Sequence, residues 1–153
     1  MSSCVSHLPE DGGYGSVIGL GMNAVELEAN PQLSGHIVHD LNVNPTLPFE
    51  DSSFDGCILA VSVQYITQPE AVFREIGRVL RPDAPLVISY SNRMFPTKAV
   101  AIWRAMSDSD RAGLIDMYIH VSEAFGERDF HNLSPRPGRS DPLYVVVARR
   151  VRK

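Results

Sequence analysis

"LPFEDSSFDGCILAVSVQYITQPEAVFREIGRVLRPDAPLVISYSN", residues 47–92, holds one complete strand–helix–strand unit. Its opening is rich in Pro, Asp and Ser and reads as loop. "DGCILAVSV" (55–63) is apolar nearly throughout, so a strand covered on both faces is expected. In "TQPEAVFREIGRVL" (67–80), Val72, Phe73, Ile76, Val79 and Leu80 recur at helical spacing. Thr67 and Glu70 stand at capping-box spacing, and Pro69 falls at the first helical position. "RPDAP" turns the chain into "LVISY" (86–90), the next strand. Strands that alternate with helices imply parallel pairing and right-handed crossovers.

The same alternation extends outward. Upstream, "GSVIGLG" and "GHIVHDL" (35–41) read as strands near 16–20 and 36–40 around the helix "NAVELEAN". Asn23 is placed to cap that helix, with Glu26 three residues on. Downstream, helical stretches are expected at about 96–106 and 109–124, with Trp103, Ile102 and Met106 as core. "RDFHNLSPRPGRSDPLYVVVARR" then reads as two strands around a Pro/Gly-rich loop, an antiparallel edge ending at 143–149. The expected fold is α/β: a mostly parallel, Rossmann-like sheet flanked by helices, with a C-terminal antiparallel hairpin. No repeat or linker divides it, so residues 1–153 read as a single domain.

With 153 residues, 44% of them hydrophobic, the chain can build a real core. A net charge of −4 gives no general attraction to nucleic acid or an anionic membrane. "ARRVRK" at the C-terminus is a local basic exception and reads as a solvated tail. No run approaches the ~18–20 apolar residues of a membrane span, and "MSSCVSHLPEDGG" lacks the pattern of a secretory signal. Cys4 and Cys57 make no disulfide framework, so a cytoplasmic setting is expected. His36 and His39 fall on opposite sides of a strand, and His120 and His131 lack zinc-like spacing; no metal site is expected.

The ordered phrases "LPFEDSSFD", "PEAVFREIGRVLRP" and "LVISY" resemble the S-adenosylmethionine-dependent methyltransferases of the Rossmann-like class, in their type 11 branch. A weaker likeness runs through residues 15–149. A closer one, to a little-characterised subgroup, rests on "SSCVSHLP" (2–9), "GMNAVELEANP" (21–31), "SNRMFPTKAVAIWRA" (91–105) and "GRSDPLYVV" (138–146). In that subgroup an apolar strand directly precedes the phrase matched by residues 2–9. The resemblance therefore implies that the family's first strand, central between 16–20 and 55–61, is missing, so that the two neighbouring strands move together, another chain supplies the strand or, the preferred reading, the present chain is a fragment of a longer protein.

The resemblance also implies a cofactor, S-adenosylmethionine, and a small-molecule acceptor. Asp40 would accept from the adenine amino group while Leu41 packs its face; Asp40 equally suits a loop cap. Val61 and Ser62 match positions whose backbone lines the cofactor, which fits the rule that ligands of open α/β sheets sit beyond the carboxyl ends of strands. "SSCVSHLP" lacks the family's usual glycines, so the hydroxyls and amides of Ser2 and Ser3 would take their part, with His7 as loop structure. Gly21, Met22 and Asn23 stand where the family carries its ribose-binding carboxylate; Asn23 offers one hydrogen bond in competition with capping.

On the acceptor side, Tyr65 faces the substrate or packs. Asn92 and Arg93 lie just past a strand end, and Arg93 suits an anionic group or a surface ion pair. No catalytic acid or base stands out, because methyl transfer demands alignment first. Two functions remain open: methyl transfer to a small molecule, or a catalytically degenerate domain that binds a ligand or protein. A nicotinamide-binding enzyme is disfavoured, since no G-x-G-x-x-G follows a strand.

Overall fold

The computed structural model describes residues 7–9 and 11–152. The chain divides between Asn44 and Pro45 into two compact units. In the first, strand β1 (Ile18–Gly21) pairs in parallel with β2 (Gly35–Val38), from Ile18 opposite Gly35 to Gly21 opposite Val38. Helix α1 (Ala24–Glu28) connects them. As expected, Asn23 caps it: the side-chain oxygen accepts from the N–H groups of Val25 and Glu26, at 3.1 and 3.4 Å. Leu27 is the helix's buried residue.

The second unit holds β3 (Cys57–Ala60), a 3-10 turn (Val63–Tyr65), α2 (Pro69–Val79), β4 (Pro85–Tyr90), α3 (Ala101–Ala105), α4 (Asp108–Ser122), β5 (Phe125–Asn132) and β6 (Tyr144–Arg150). Their sheet runs β3-β4-β6-β5. β3 and β4 are parallel through the α2 crossover, and β6 runs antiparallel to both β4 and β5. The alternating α/β reading and its C-terminal hairpin are therefore observed. Among the described residues β1 pairs only with β2, and β3 only with β4.

α2 buries the stripe read from its periodicity: Val72, Phe73, Ile76 and Val79 are at most 3% exposed. It packs on α4, with the Phe73 and Tyr118 rings 6.1 Å apart. Arg78 explains why the phrases at 47–55 and 74–82 occur together. Its Nη1 donates to the Phe49 carbonyl and Asp51, and its Nη2 to the Leu47 carbonyl and Glu75. Its Nε donates to the other oxygen of Glu75 at 2.8 Å, while Glu75 accepts from the Leu47 N–H at 2.9 Å. One guanidinium thus clamps the loop before β3 to the helix after it. Its planar fork of donors suits this task. Arg81 reinforces it through Asp55 and the Ser52 carbonyl.

Several local expectations are corrected. The helix expected over 96–106 shrinks to Ala101–Ala105, because Val100 is extended and its N–H donates to the Gln64 carbonyl at 3.0 Å. Only Trp103 of that short helix is buried; Ile102, its neighbour, points elsewhere and is 43% exposed. Gln68 is the N-cap of α2 and makes no side-chain capping bond, and Pro69 starts the helix as expected. A capping box with both halves present joins Ser107 and Asp110, on α4. β3 is not covered on both faces, since it is an edge strand and Ile58 is 37% exposed. The basic C-terminus is not simply solvated. Arg149 donates to the Asp83 carbonyl, Arg152 pairs with the Asp83 carboxylate, and Arg150 donates to Ser52 and the Leu80 carbonyl.

Candidate functional site

In the first unit the parallel register brings Gly21, Met22 and Asn23 beside Asp40 and Leu41, at the carboxyl ends of β1 and β2. The Gly21 carbonyl accepts from the His39 N–H at 2.8 Å, extending the ladder by one bond. Met22 is 69% exposed, while Asp40 and Leu41 are half-buried. One Asp40 carboxylate oxygen accepts from the Asn42 N–H at 2.9 Å, and its carbonyl accepts from Val43 and Asn44. Asp40 therefore does cap its loop, with one oxygen committed. Asn23's side-chain oxygen is committed to α1, leaving its amide N–H groups to donate.

In the second unit the carboxyl end of β3 carries an unusual turn. Val61 sits at φ 44°, in the left-handed region that β-branched residues rarely enter. Its N–H still donates to the Ser89 carbonyl at 2.9 Å, so the strand stays paired while the chain swerves. Such strain clusters at ligand clamps and active sites. Ser62 follows, half-buried and with no side-chain capping bond. The turn then drives Val63 and Gln64 inside, at 1% and 0% exposure.

Tyr65, at the rim, is half-buried; its hydroxyl accepts from the Phe95 N–H at 3.0 Å, and its ring lies 6.4 Å from that of Phe95. Asn92 is exposed beyond β4, and Arg93 pairs with Asp141 at 2.8 Å on the surface. The register of β3 and β4 thus brings Val61, Ser62 and Asn92 to one end of that sheet. Ser3 lies outside the described residues. Burial pushes the Cys57 thiol up to about 12, which favours its protonated form at neutral pH. Among the described residues no group of three or more His, Cys, Asp or Glu side chains is placed to hold a metal ion. No helix there is long and apolar enough to cross a membrane.

A cluster that sequence reading missed joins α3, α4, β4 and β6. Arg111, 6% exposed, donates to Asp108 at 2.7 Å and to the Trp103 carbonyl, with its guanidinium 5.4 Å from the Trp103 ring centre. The Tyr144 hydroxyl donates to the other Asp108 oxygen at 3.3 Å, and Tyr90 stacks on Tyr144 with ring centres 5.2 Å apart. Asp108 and Arg111 at helical i,i+3 spacing are the one local signal for it.

Residues 4–88 match the family model described as a methyltransferase domain. The chain belongs to that methyltransferase family. The resemblance read from residues 47–92 is thereby borne out, with the class I fold that the α/β topology displays. This methyltransferase domain is 26% identical over 113 residues to the biotin biosynthesis bifunctional protein BioHC of Teredinibacter turnerae, covering 74% of the chain and 18% of that protein. It is 37% identical over 87 residues to the uncharacterized Escherichia coli protein YafS, covering 56% of the chain and 36% of that protein. The match thus spans well under half the length of either curated relative. A solved S-adenosylmethionine-dependent methyltransferase from Mesorhizobium loti shares the fold, with a TM-score of 0.65 over 90% of this chain and 82% of the other, at 15% identity.

Proposed function

We propose that this methyltransferase domain binds S-adenosylmethionine at the carboxyl ends of its strands and acts on a small molecule. The observation that carries the reading is the strained turn at Val61. A β-branched residue held in the left-handed region at a parallel strand end is what a backbone shaped around a ligand looks like. In the first unit Asp40 would accept from the adenine amino group with the oxygen its loop leaves over, and Leu41 would cover the ring; in the second, Ser62 and the Val61 backbone are the residues proposed to line the cofactor. When bound, S-adenosylmethionine would supply an activated methyl group to the acceptor's lone pair, with the sulfur–carbon bond electrons returning to sulfur. The chain's part is alignment. A net charge of −4 favours a small acceptor over nucleic acid.

One observation favours the second reading, a degenerate binding module. Residues 21–23 contain no carboxylate, and Asn23's oxygen is already shared by two N–H groups. A calorimetric titration with S-adenosylmethionine separates the readings. Binding that Asp40→Ala weakens by ~1–3 kcal/mol, the cost of stranding a hydrogen-bonded group, supports the proposal. No binding to the chain sinks it in favour of the module.

A further inference from the structure

The register of the second sheet sets three side chains in one row across neighbouring strands: Tyr90 on β4, Tyr144 on β6 and Asn132 on β5. This row, with Phe130 beside it, lines a hollow with the first two turns of α4, where Asp108 and Ala112 stand. The hollow measures about 330 Å³, within the size of small-ligand pockets at ~300–1,000 Å³. We propose that this hollow binds a neutral aromatic compound bearing a hydrogen-bond acceptor, such as a ring carbonyl.

Three features select that class. Tyr90, Tyr144 and Phe130 offer aromatic surface, which favours a flat ring by offset or edge contact. The uncommitted polar groups on the row are donors. Tyr90 is 3% exposed, and among the described residues its hydroxyl has no hydrogen-bond partner. Asn132 accepts from the Ser134 N–H and hydroxyl through its oxygen, which leaves the amide N–H groups to donate. The Tyr144 hydroxyl, by contrast, is spent on Asp108. Burial, with Asp108 and Tyr144 close by, pushes Tyr90 up to about 12, so it keeps its proton at neutral pH.

The third feature is charge. Asp108 is paired with buried Arg111 at 2.7 Å, so its charge is offset and the wall it forms rewards neither an anion nor a cation. A neutral ligand remains. Binding stands independently of the methyltransferase reading, but the ligand's role as methyl acceptor rests on it; the hollow opens at the carboxyl end of β4, as do Ser62 and Asn92 for their strands.

The test uses 4-fluorobenzamide followed by fluorine NMR, with 4-fluorobenzoate and 4-fluorobenzylammonium as charged counterparts. Trp103, the only tryptophan and edge-on to Tyr90 at 5.6 Å, reports the site by fluorescence. The amide is expected to bind about fivefold or more tightly than either ion and to shift Trp103 emission. Tyr90→Phe keeps the ring and should cost about fivefold to tenfold, the worth of one hydrogen bond. Ala112→Phe, which fills the hollow from the helix side, should abolish binding. Near-ultraviolet circular dichroism of each variant establishes that it is folded. Equal binding of all three probes, or binding untouched by both substitutions, overturns the proposal. S-adenosylmethionine is titrated in parallel. Amide binding without cofactor binding removes the methyltransferase reading alone, and the reverse removes the hollow alone.

Discussion

The backbone N–H of Phe95 donates to the hydroxyl of Tyr65 at 3.0 Å, tying the loop after β4 to the turn after β3. Tyr65 was expected either to face the acceptor or to pack, and this bond makes it a fastener of the loop that carries Asn92 and Arg93. Tyr65→Phe keeps the ring contact with Phe95 but removes the acceptor. It should cost about 1 kcal/mol, the usual net worth of one hydrogen bond. Amide exchange at Phe95 should quicken, while amides within α2 stay as protected as before. Unchanged exchange at Phe95 would assign the loop's order to the Arg93–Asp141 pair instead.

The Arg78 clamp carries a pH dependence. The Arg78 hydrogen bond, opposed by burial and aided by the Leu47 N–H, holds Glu75 below its ordinary value. A carboxyl depressed in the folded state adds stability that is complete above its unfolded value, near 4.3. That stability fades as pH falls through the folded value. Glu75→Gln should lower stability by about 1–3 kcal/mol at neutral pH and flatten the acid limb of the denaturation profile. Urea midpoints from pH 7 to 3 read both effects. Parallel curves for the two proteins would show that the acid sensitivity resides elsewhere.

Gly77 shows where helix propensity is overruled by contact. Gly→Ala inside a helix ordinarily gains ~0.5–1 kcal/mol. Here a Cβ on Gly77 would lie 2.3 Å from the Cβ of Ala124, so α2 or the turn before β5 must shift. Overpacking of that kind costs ~1–3 kcal/mol, and Gly77→Ala is expected to destabilise. Adding Ala124→Gly removes the obstruction and should recover most of the loss, a coupling that a double-mutant cycle measures.

What the sequence disclosed and what it hid follow from range of interaction. Asn23 and Pro69 start their helices as read, because capping is settled within a few residues. Alternating strands and helices were legible for the same reason. The helix over 96–106 was misread because a bond from Val100 to the distant Gln64 carbonyl competes with its first turns. Tyr90, Asn132 and Tyr144 meet only through strand register, which no local pattern announces. The phrases around Leu47 and Arg78 carry the family resemblance without showing in the sequence why they occur together. The reason is one guanidinium reaching between them. The strained φ of Val61 had no local signal at all, since nothing in "ILAVSV" asks for a left-handed residue.

Gln64 sits three places beyond Val61, and its energetics point the same way. It is 0% exposed, and neither its amide nitrogen nor its amide oxygen has a partner among the described residues. An unpaired buried amide costs ~1–3 kcal/mol by protein substitution data. Gln64→Met keeps the unbranched shape and removes the unpaired atoms. Stability should therefore rise by about 1–3 kcal/mol, which for a domain of this size lifts Tm by ~2–12 °C. A site residue tolerated against stability should also show a loss elsewhere, so S-adenosylmethionine affinity is measured on the same variant. Raised Tm with weakened cofactor binding would place Gln64 among the groups that shape the strand end for its ligand. Raised Tm with unchanged binding would make it a burden on the fold without a role in binding. A lowered Tm would overturn the stability prediction, because it would mean that the amide is hydrogen-bonded in solution.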